Sequence, residues 1–294
     1  MAPTRSDSRP DLADTTAIVT GASDGIGAVA ARELARAGAR VVLAVRNPAK
    51  AAGVSRSWGG EIEIRELDLA SLESVRAFAA GWSGPIGLLI NNAGVMQADG
   101  ARTRDGFEPH IGINHLGHFA LTGLLLPEIV GRVITVSSDL HKRAKLDLED
   151  LNWERRRFKP FQAYSDSKLA NLLFARELQR RLTSAHSPVA SLGVHPGISS
   201  TNLASDDRGR AAGLVRRLMA LVGQDAEGGA LPTLYAANEP PPESGYVGPG
   251  GLFEIRGAAK PVRGSAASQD STLARRLWER SAELTGLDAL ERAA

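Results

Sequence analysis

The segment "TTAIVTGASDGIG", residues 15–27, indicates the fold class. Its first half is apolar and β-branched, as in a strand buried on both faces, and its glycine-rich second half leads into the helical pattern "GAVAARELARAGA" at 27–39. Glycines between a strand and a helix let backbone amides approach a phosphate group at the positive end of the helix. This context favours a nucleotide site over a simple tight turn.

Strand-like and helix-like segments alternate along the rest of the chain. Short apolar, β-branched segments predict further strands at 39–46, 61–67, 86–91, 131–138 and 189–197, and a last short one around Tyr246 and Val247. Helical periodicity recurs at 71–82, 165–182 and 270–286. The alternation predicts an α/β fold, with a doubly wound parallel sheet flanked by helices in a single domain.

Composition narrows the classes of function. The 294 residues are 43% hydrophobic and 23% charged, which excludes global disorder and allows a large core. The formal net charge is only +2 and the basic run "ERRRFK" at 154–159 is short, so we expect no nucleic-acid partner. There is no cysteine, which excludes disulfides, thiolate catalysis and thiolate metal sites.

The N-terminal residues 1–13 are polar with two prolines, and we expect them to be a disordered lead-in to a domain spanning 14–294. Their layout is not that of a signal peptide, and no apolar run reaches the roughly 18 residues of a membrane span. We therefore expect no membrane anchor and a cytoplasmic location.

Several motifs follow one another in a recognisable order. They are "TGxxxGIG" at 20–27, "NNAG" at 91–94, Asn114, "VSS" at 136–138, "YSDSK" at 164–168 and "HPG" at 195–197. Together they resemble the short-chain dehydrogenase/reductase family over about residues 14–287, which implies a Rossmann-type fold. Segments such as "SSDLHK", "SKLANLLFAREL" and "GYVGPGG" are similar to the branch that contains the retinol dehydrogenases and the WW-domain oxidoreductase.

Tyr164 and Lys168 lie four residues apart on a predicted helix, so their side chains share a face. A cation beside a phenol lowers the phenol pKa from about 10 toward the working range, where the group can donate and accept a proton. Tyr-x-x-x-Lys alone is common on amphipathic helices, and it is the accompanying motifs that favour a catalytic pair.

The resemblance implies a catalytic set of Asn114, Ser138, Tyr164 and Lys168. In it Ser138 holds the substrate oxygen, Asn114 organises a water in the proton path, and Lys168 also bonds the nicotinamide ribose. Strand alternation directs Ser137 and Ser138 to opposite sides, and the family pattern selects Ser138. We expect Ser137 to be a hydrogen-bonding residue at the strand end.

The segment after the second strand bears on the choice of cofactor. An acid there would bind the ribose hydroxyls of NAD, but the chain has Arg46, which can bind the 2′-phosphate of NADP, so we predict NADP(H). The cofactor contacts that the resemblance implies are Gly21, Ser23, Asp24, Gly25, Ile26, Gly27, Arg46, Asn47, Asp68, Leu69, Asn92, Ala93, Gly94, Tyr164, Lys168, Pro196, Gly197, Ile198 and Thr201.

Two segments, 139–163 and 198–224, are candidates to form the walls of an apolar substrate pocket together with Met96. The resemblance implies a small-molecule carbonyl or alcohol substrate, lipophilic or extended. It also implies a homo-oligomer, a dimer or tetramer, because the family pairs the helix that carries Tyr164 and because "LANLLFAREL" is apolar on more than one face.

The predicted function is NADP(H)-dependent interconversion of an alcohol and its ketone or aldehyde by hydride transfer. His115 and His118 lack a third ligand with metal spacing, so we expect packing and surface roles and no metal. No "GxSxG" supports a serine hydrolase. Light-driven protochlorophyllide reduction is disfavoured because it uses a cysteine. An NADP-binding sensor or scaffold without turnover is the alternative.

Overall fold

The computed structural model describes residues 12–96, 101–197 and 225–287, and every structural statement below concerns these ranges. They form an eight-stranded sheet in the order β3-β2-β1-β4-β5-β6-β7-β8. The strands are β1 Thr16–Thr20, β2 Arg40–Val45, β3 Ile62–Glu66, β4 Ile86–Asn91, β5 Ile129–Val136, β6 Ala190–Val194, β7 Tyr246–Pro249 and β8 Ala259–Pro261. All neighbours pair in parallel except β7 and β8, which confirms the predicted fold class and adds an antiparallel edge strand.

The helices lie on both faces of the sheet. They are α1 Gly25–Arg36, α2 Pro48–Ser55, α3 Leu72–Ala80, α4 Pro109–Ile111, α5 Gly117–Leu125, α6 Pro160–Ser184, α7 Ala226–Asn238 and α8 Ser271–Thr285. A π-helical turn, Gly112–Leu116, joins α4 to α5. Side-chain caps begin α1, α2, α3, α7 and α8, at Asp24, Asn47, Ser71, Asp225 and Asp270.

Alternation along the strands divides the core into two layers. Ile18 and Leu89 face one layer, which includes side chains of α3, α5, α6 and α8. Val19 and Ile90 face the other, which includes side chains of α1 and α7. Both faces of the central strands are therefore buried, which explains why those segments are largely apolar. The edge strand β3, with sequence IEIRE, has no fully buried residue and alternates apolar and charged side chains.

The strand order reverses at β1, which pairs with both β2 and β4. In such sheets ligands bind outside the carboxyl ends of the strands at this point. Val19 pairs with Ile90, so the segments that follow β1 and β4, "TGASDGIG" and "NNAG", leave the sheet side by side.

Three local features differ from the sequence predictions. Helix α6 begins at Pro160, because proline suits the first helical position, so residues 160–163 are not loop. Leu12, placed in the lead-in, donates its N–H to Ala37 O at 2.9 Å and packs against the core. Helix α2 was not predicted, although Asn47 and Pro48 form a recognisable helix start.

Helix α8 covers part of the apolar surface of α6. The Trp278 ring stacks on Phe174 with centroids 5.8 Å apart and meets Phe119 edge-on at 5.0 Å. The apolar residues of "LANLLFAREL" are thus buried within this chain, and the expected homo-oligomer loses its sequence argument. Among the helices of the described ranges, none combines the length and apolar composition that a membrane crossing requires.

Candidate active site

A cleft of about 420 Å³ opens at the carboxyl ends of the strands, where the strand order reverses. Of the expected cofactor contacts that lie in the described ranges, only Gly197 is outside its lining. The lining also includes residues that were not predicted as contacts, namely Ala44, Lys50, Leu67, Val95, Ile113, Val136 and Ser137. Ile198, Thr201 and the segment 198–224 lie outside the described residues.

The glycines after β1 are required by close packing on "NNAG". A Cβ at Gly21, whose φ is +67°, would lie 2.9 Å from Ala93 Cα, and one at Gly27 would lie 2.3 Å from Asn92 Nδ2. Asp24 caps α1 by accepting the Gly25 N–H at 2.7 Å, and Lys50 Nζ lies 2.7 Å from its other oxygen. The cleft wall is therefore largely backbone at this end, which fits the diphosphate of a dinucleotide.

The opposite wall follows β2 and β3. Arg46 is exposed directly after β2 and makes no ion pair within the described ranges. Asn47 accepts the Lys50 N–H at 3.0 Å and so begins α2. Asp68, which follows β3, accepts the Ala70 N–H at 3.0 Å. The residues that follow β2 directly, Arg46 and Asn47, include no acid.

Lys168 and Tyr164 lie together deep in the cleft, on one side of α6. Lys168 Nζ donates to Val136 O at 3.1 Å and lies 5.6 Å from the centroid of the Tyr164 ring. Burial lowers the pKa of Lys168 to about 8. Burial also raises the pKa of Tyr164 to about 12, and a hydrogen bond with the Ser138 side chain opposes that rise.

The expected depression of the Tyr164 pKa by Lys168 is therefore wrong for this structure. Both side chains are almost fully buried, and the loss of water disfavours phenolate and ammonium alike. Tyr164 is a protonated phenol at neutral pH, and Lys168 keeps its charge with a weakened hold on the proton.

The two serines after β5 have different surroundings, and Ser138 is outside the cleft lining. Ser138 accepts the Leu140 N–H at 3.2 Å, capping a short 3₁₀ turn, Asp139–Arg143, and its hydroxyl is near enough to Tyr164 to oppose the rise of the phenol pKa. Ser137 lines the cleft, but its hydroxyl donates to the backbone oxygen of Lys168 at 2.7 Å. Ser137 thus fastens β5 to α6, in the role expected for it.

Asn114 lies in the π-helical turn and is fully buried behind the cleft lining. Its Oδ1 accepts the Val95 N–H at 2.8 Å, and its Nδ2 donates to Val95 O at 3.1 Å and to Ser167 Oγ at 3.0 Å. Its side chain therefore joins the "NNAG" loop to α6. The family resemblance implies that Asn114 organises a water. In this structure the three hydrogen bonds of its side chain are made to protein groups.

Several site residues were missed by sequence reasoning. Thr20 accepts the N–H groups of Asn92 and Ala93, each at 2.9 Å, and so fixes the turn after β4. His141 Nδ1 donates to Ser138 O at 2.7 Å while its Nε2 accepts the Ser265 N–H at 3.0 Å. Thr20 and His141 are each bonded to residues far away in sequence, in the turn after β4 and at Ser265, so no spacing reveals these contacts.

The two histidines assigned packing and surface roles are both about 1% exposed, so the surface role is wrong. His115 bonds Ser281 Oγ at 2.8 Å, on the side of α8. His118 lies between β1 and the π-helical turn. Among the described residues, no group of three or more His, Cys, Asp or Glu is placed to hold a metal ion.

Pro196 lines the cleft, whereas Gly197 packs elsewhere. Gly197 has φ +73°, and a Cβ on it would lie 2.3 Å from Ile255 O. Its N–H points to His195 Nδ1 at 3.3 Å. Val95, not Met96, completes the lining beside "NNAG".

A doubly wound sheet with this cleft and a Ser–Tyr–Lys cluster defines a nucleotide-dependent oxidoreductase domain. The family model described as short chain dehydrogenase matches residues 15–211, and the chain belongs to that family. It is 38% identical to human retinol dehydrogenase 13, over 96% of this chain and 88% of that protein. It is 41% identical to mouse polyprenol dehydrogenase, over 94% and 85%.

Among solved structures, a protein of uncharacterised function from Mycobacterium Paratuberculosis has the same fold. Its TM-score is 0.83, with 50% identity over 95% of this chain and 96% of that chain. The resemblance to the short-chain dehydrogenase/reductase family and its retinol dehydrogenase branch is thereby confirmed.

Proposed function

We propose that the protein is an NADP(H)-dependent oxidoreductase that interconverts an alcohol with its ketone or aldehyde. The observation that carries the proposal is the placement of Tyr164 and Lys168 together in the lining of the nucleotide cleft, with Lys168 Nζ 5.6 Å from the centroid of the Tyr164 ring. The bound nicotinamide supplies or accepts the hydride. The chain has to place the substrate oxygen and to exchange one proton with it.

Tyr164 is the proton donor in carbonyl reduction. Its raised pKa, about 12, keeps the phenol protonated before the reaction, and the Ser138 hydroxyl beside it is the proposed hydrogen-bond donor to the substrate oxygen. As charge develops on that oxygen, the Lys168 ammonium near the ring favours release of the proton. In alcohol oxidation the same groups act in reverse.

Arg46 and Lys50 favour NADP(H) over NAD(H). Both line the cleft after β2, and no acid stands there to repel a 2′-phosphate. Arg46 makes no ion pair in the described ranges, so its guanidinium can bind the phosphate with charge-assisted bonds. Lys50 already neutralises Asp24, which keeps that carboxylate from opposing the diphosphate.

A lipophilic or extended alcohol is the proposed substrate class. Retinol and polyprenol, in the names of the two relatives, are both long apolar alcohols. In the candidate wall 139–163, Leu148 and Leu151 are buried in the core layer that includes side chains of α6 and α8, so the proposed substrate class rests on these two relatives.

The proposal is tested by following NADPH oxidation with aldehydes and ketones graded by size and polarity, with NADH in parallel. We expect turnover that increases with apolar chain length and is faster with NADPH. If NADPH binds tightly but no carbonyl is reduced and no alcohol is oxidised, the sensor or scaffold alternative would be favoured.

A further inference from the structure

His118 is a buried histidine to which the proposed reaction assigns no role. It is the second residue of α5, about 1% exposed, directly behind the cleft. Its Nε2 lies 2.9 Å from Thr20 Oγ1, and its Nδ1 lies 3.0 Å from the backbone oxygen of Asn114. The ring thus bridges the end of β1 and the π-helical turn.

The partners of the ring determine its tautomer. A carbonyl oxygen only accepts, so Nδ1 must carry the hydrogen that points to Asn114 O. In the neutral ring Nε2 then accepts, and its donor is the Thr20 hydroxyl. The other acceptor near that hydroxyl, Ile90 O, is farther away at 3.3 Å.

All these bonds run in one direction. The N–H groups of Asn92 and Ala93 donate to Thr20 Oγ1, which donates to His118, which donates to Asn114 O. Thr20 Oγ1 accepts from both N–H groups and donates its own hydrogen once, so every group in this chain of bonds acts in its proper sense. Such hydrogen-bond chains reinforce one another where water is excluded.

The electrostatic surroundings keep the ring neutral. Burial is the main reason that the His118 pKa falls to about 4, and the like charge of Lys168 lowers it further, against the bond to Asn114 O. His115 lies on the same helical segment and is itself buried, with a pKa lowered to about 3. A protonated His118 would also lose the Thr20 hydroxyl as a donor.

We propose that neutral His118 is a positioning residue, which ties the "NNAG" turn on the nucleotide side to Asn114 on the catalytic side. Through Thr20 it holds the backbone around Asn92 and Ala93, which lines the cleft. Through Asn114 it holds the π-helical turn whose side chain fixes Val95 and Ser167. This inference rests on the proposed oxidoreductase function.

The two bonds can be removed separately. In His118→Asn the amide nitrogen can take the place of Nδ1 and keep the bond to Asn114 O, but it does not reach Thr20. In His118→Gln the amide oxygen can take the place of Nε2 and keep the bond from Thr20, but the donor to Asn114 is lost. His115→Leu is the matched control, because His115 is equally buried and bonds Ser281, away from the cleft.

We expect His118→Asn to weaken NADPH binding about three- to tenfold with kcat near the parental value, as for one lost neutral hydrogen bond. His118→Gln should bind NADPH almost normally and lose about tenfold in kcat. His115→Leu should lower Tm without changing either quantity. Histidine nitrogen-15 NMR, assigned with the His118→Asn protein, should give the Nδ1–H tautomer for His118 at neutral pH.

The inference would be overturned if the two His118 variants lost NADPH affinity and kcat equally, and by the same factors as His115→Leu. An Nε2–H tautomer or an imidazolium at neutral pH would also overturn it. The affinity and NMR measurements need no turnover. If the parent protein turns over no substrate, the proposed function fails, while affinity and tautomer still decide the role of His118 through its Thr20 bond.

Discussion

At the scale of single residues, burial sets the chemistry of the Tyr164–Lys168 pair. A phenol with a pKa of about 12 and an ammonium with a pKa of about 8 are both harder to ionise than in water. Lys168 keeps two anchors, the Val136 carbonyl and the Tyr164 ring face, in place of its water. We propose that burial of Lys168 lowers the free energy of unfolding, and that this loss of stability holds a cation where the substrate oxygen becomes negative.

Tyr164→Phe should keep the ring and its packing but remove the proton donor. We expect NADPH affinity to be retained and turnover to fall by at least about 10²–10⁴-fold, the usual value of general acid catalysis. Single-turnover hydride transfer, with NADPH titrated by fluorescence, measures both. Near-parental turnover by this variant would contradict the role assigned to Tyr164.

Lys168→Met should make the protein more stable at neutral pH while abolishing turnover. At pH 7 Lys168 is charged in both folded and unfolded chains, so the parent bears the whole cost of burying the cation, on the order of 1–3 kcal/mol. Val136 O keeps Asn171 Nδ2 as a donor at 3.0 Å, so the variant leaves no orphaned carbonyl.

The advantage of the Lys168→Met variant should shrink as pH rises from about 8 to 10.5. In that window the folded parent loses the Lys168 proton before the unfolded chain does, so the parent gains stability with pH. Denaturant unfolding of both proteins at pH 7 and pH 10 measures the difference. This account would be contradicted if the parent were more stable than Lys168→Met at pH 7 and the margin did not vary with pH.

Arg46→Asp should narrow or invert the preference for NADP(H). The change removes a bidentate phosphate ligand and adds repulsion, which we expect to cost about 1–3 kcal/mol of NADPH binding while improving NADH binding. Fluorescence titrations with both cofactors check it. Equal affinities of the parent protein for NADPH and NADH would refute the preference.

At the scale of secondary-structure elements, the packing of α1 against the turn after β4 sets the shape of the nucleotide end of the cleft. Gly27 is the point of closest contact. A Cβ there would lie 2.3 Å from Asn92 Nδ2 and 2.7 Å from Gly21 O. Thr20, at the end of β1, holds the other side of the turn. A helix and a strand thus fix one loop from two directions.

Gly27→Ala should destabilise the protein by about 1–3 kcal/mol, as overpacking does, and weaken cofactor binding. Gly53→Ala is the matched control, because Gly53 also lies in a helix and a Cβ there would meet nothing within 4 Å. It should stabilise by about 0.5–1 kcal/mol. Thermal unfolding of the two variants compares them, and equal Tm values would disprove the close contact.

At the scale of the whole molecule, α8 completes the core on the face that carries α6. Trp278 is about 2% exposed, and Arg181 of α6 stacks over its ring at 4.5 Å from the centroid. The apolar surface of α6 is thus used within the chain. The homo-oligomer remains a prediction that rests on the family resemblance, and light scattering on the purified protein tests it.

Trp278→Ala should lower the free energy of unfolding by about 3–5 kcal/mol, because it leaves a large cavity between α6 and α8. Arg275→Ala, on the exposed side of the same helix, should change it by less than about 0.5 kcal/mol. Chemical denaturation measures both. A small effect of Trp278→Ala would mean that α8 is not an integral part of the core.

The sequence by itself determined the sheet, most helices, the glycine turn and many of the residues that line the cleft. Those features depend on local periodicity, on helix caps and on motifs that can be recognised from their order along the chain, as Gly21, Arg46 and Tyr164 illustrate. The expected hydrogen-bonding role of Ser137 agrees with its bond to the Lys168 carbonyl, and the substrate role of Ser138 stays a prediction.

Only the tertiary structure decided the protonation of Tyr164 and Lys168, because burial is a property of the folded surroundings and not of spacing. It alone joined Thr20 to His118, which lie 98 residues apart, and His141 to Ser265. Such bonds form when strands and helices converge at one end of a sheet, and each partner alone is an ordinary polar residue. For that physical reason the sequence could indicate the proposed reacting groups, and only the fold determined what holds them.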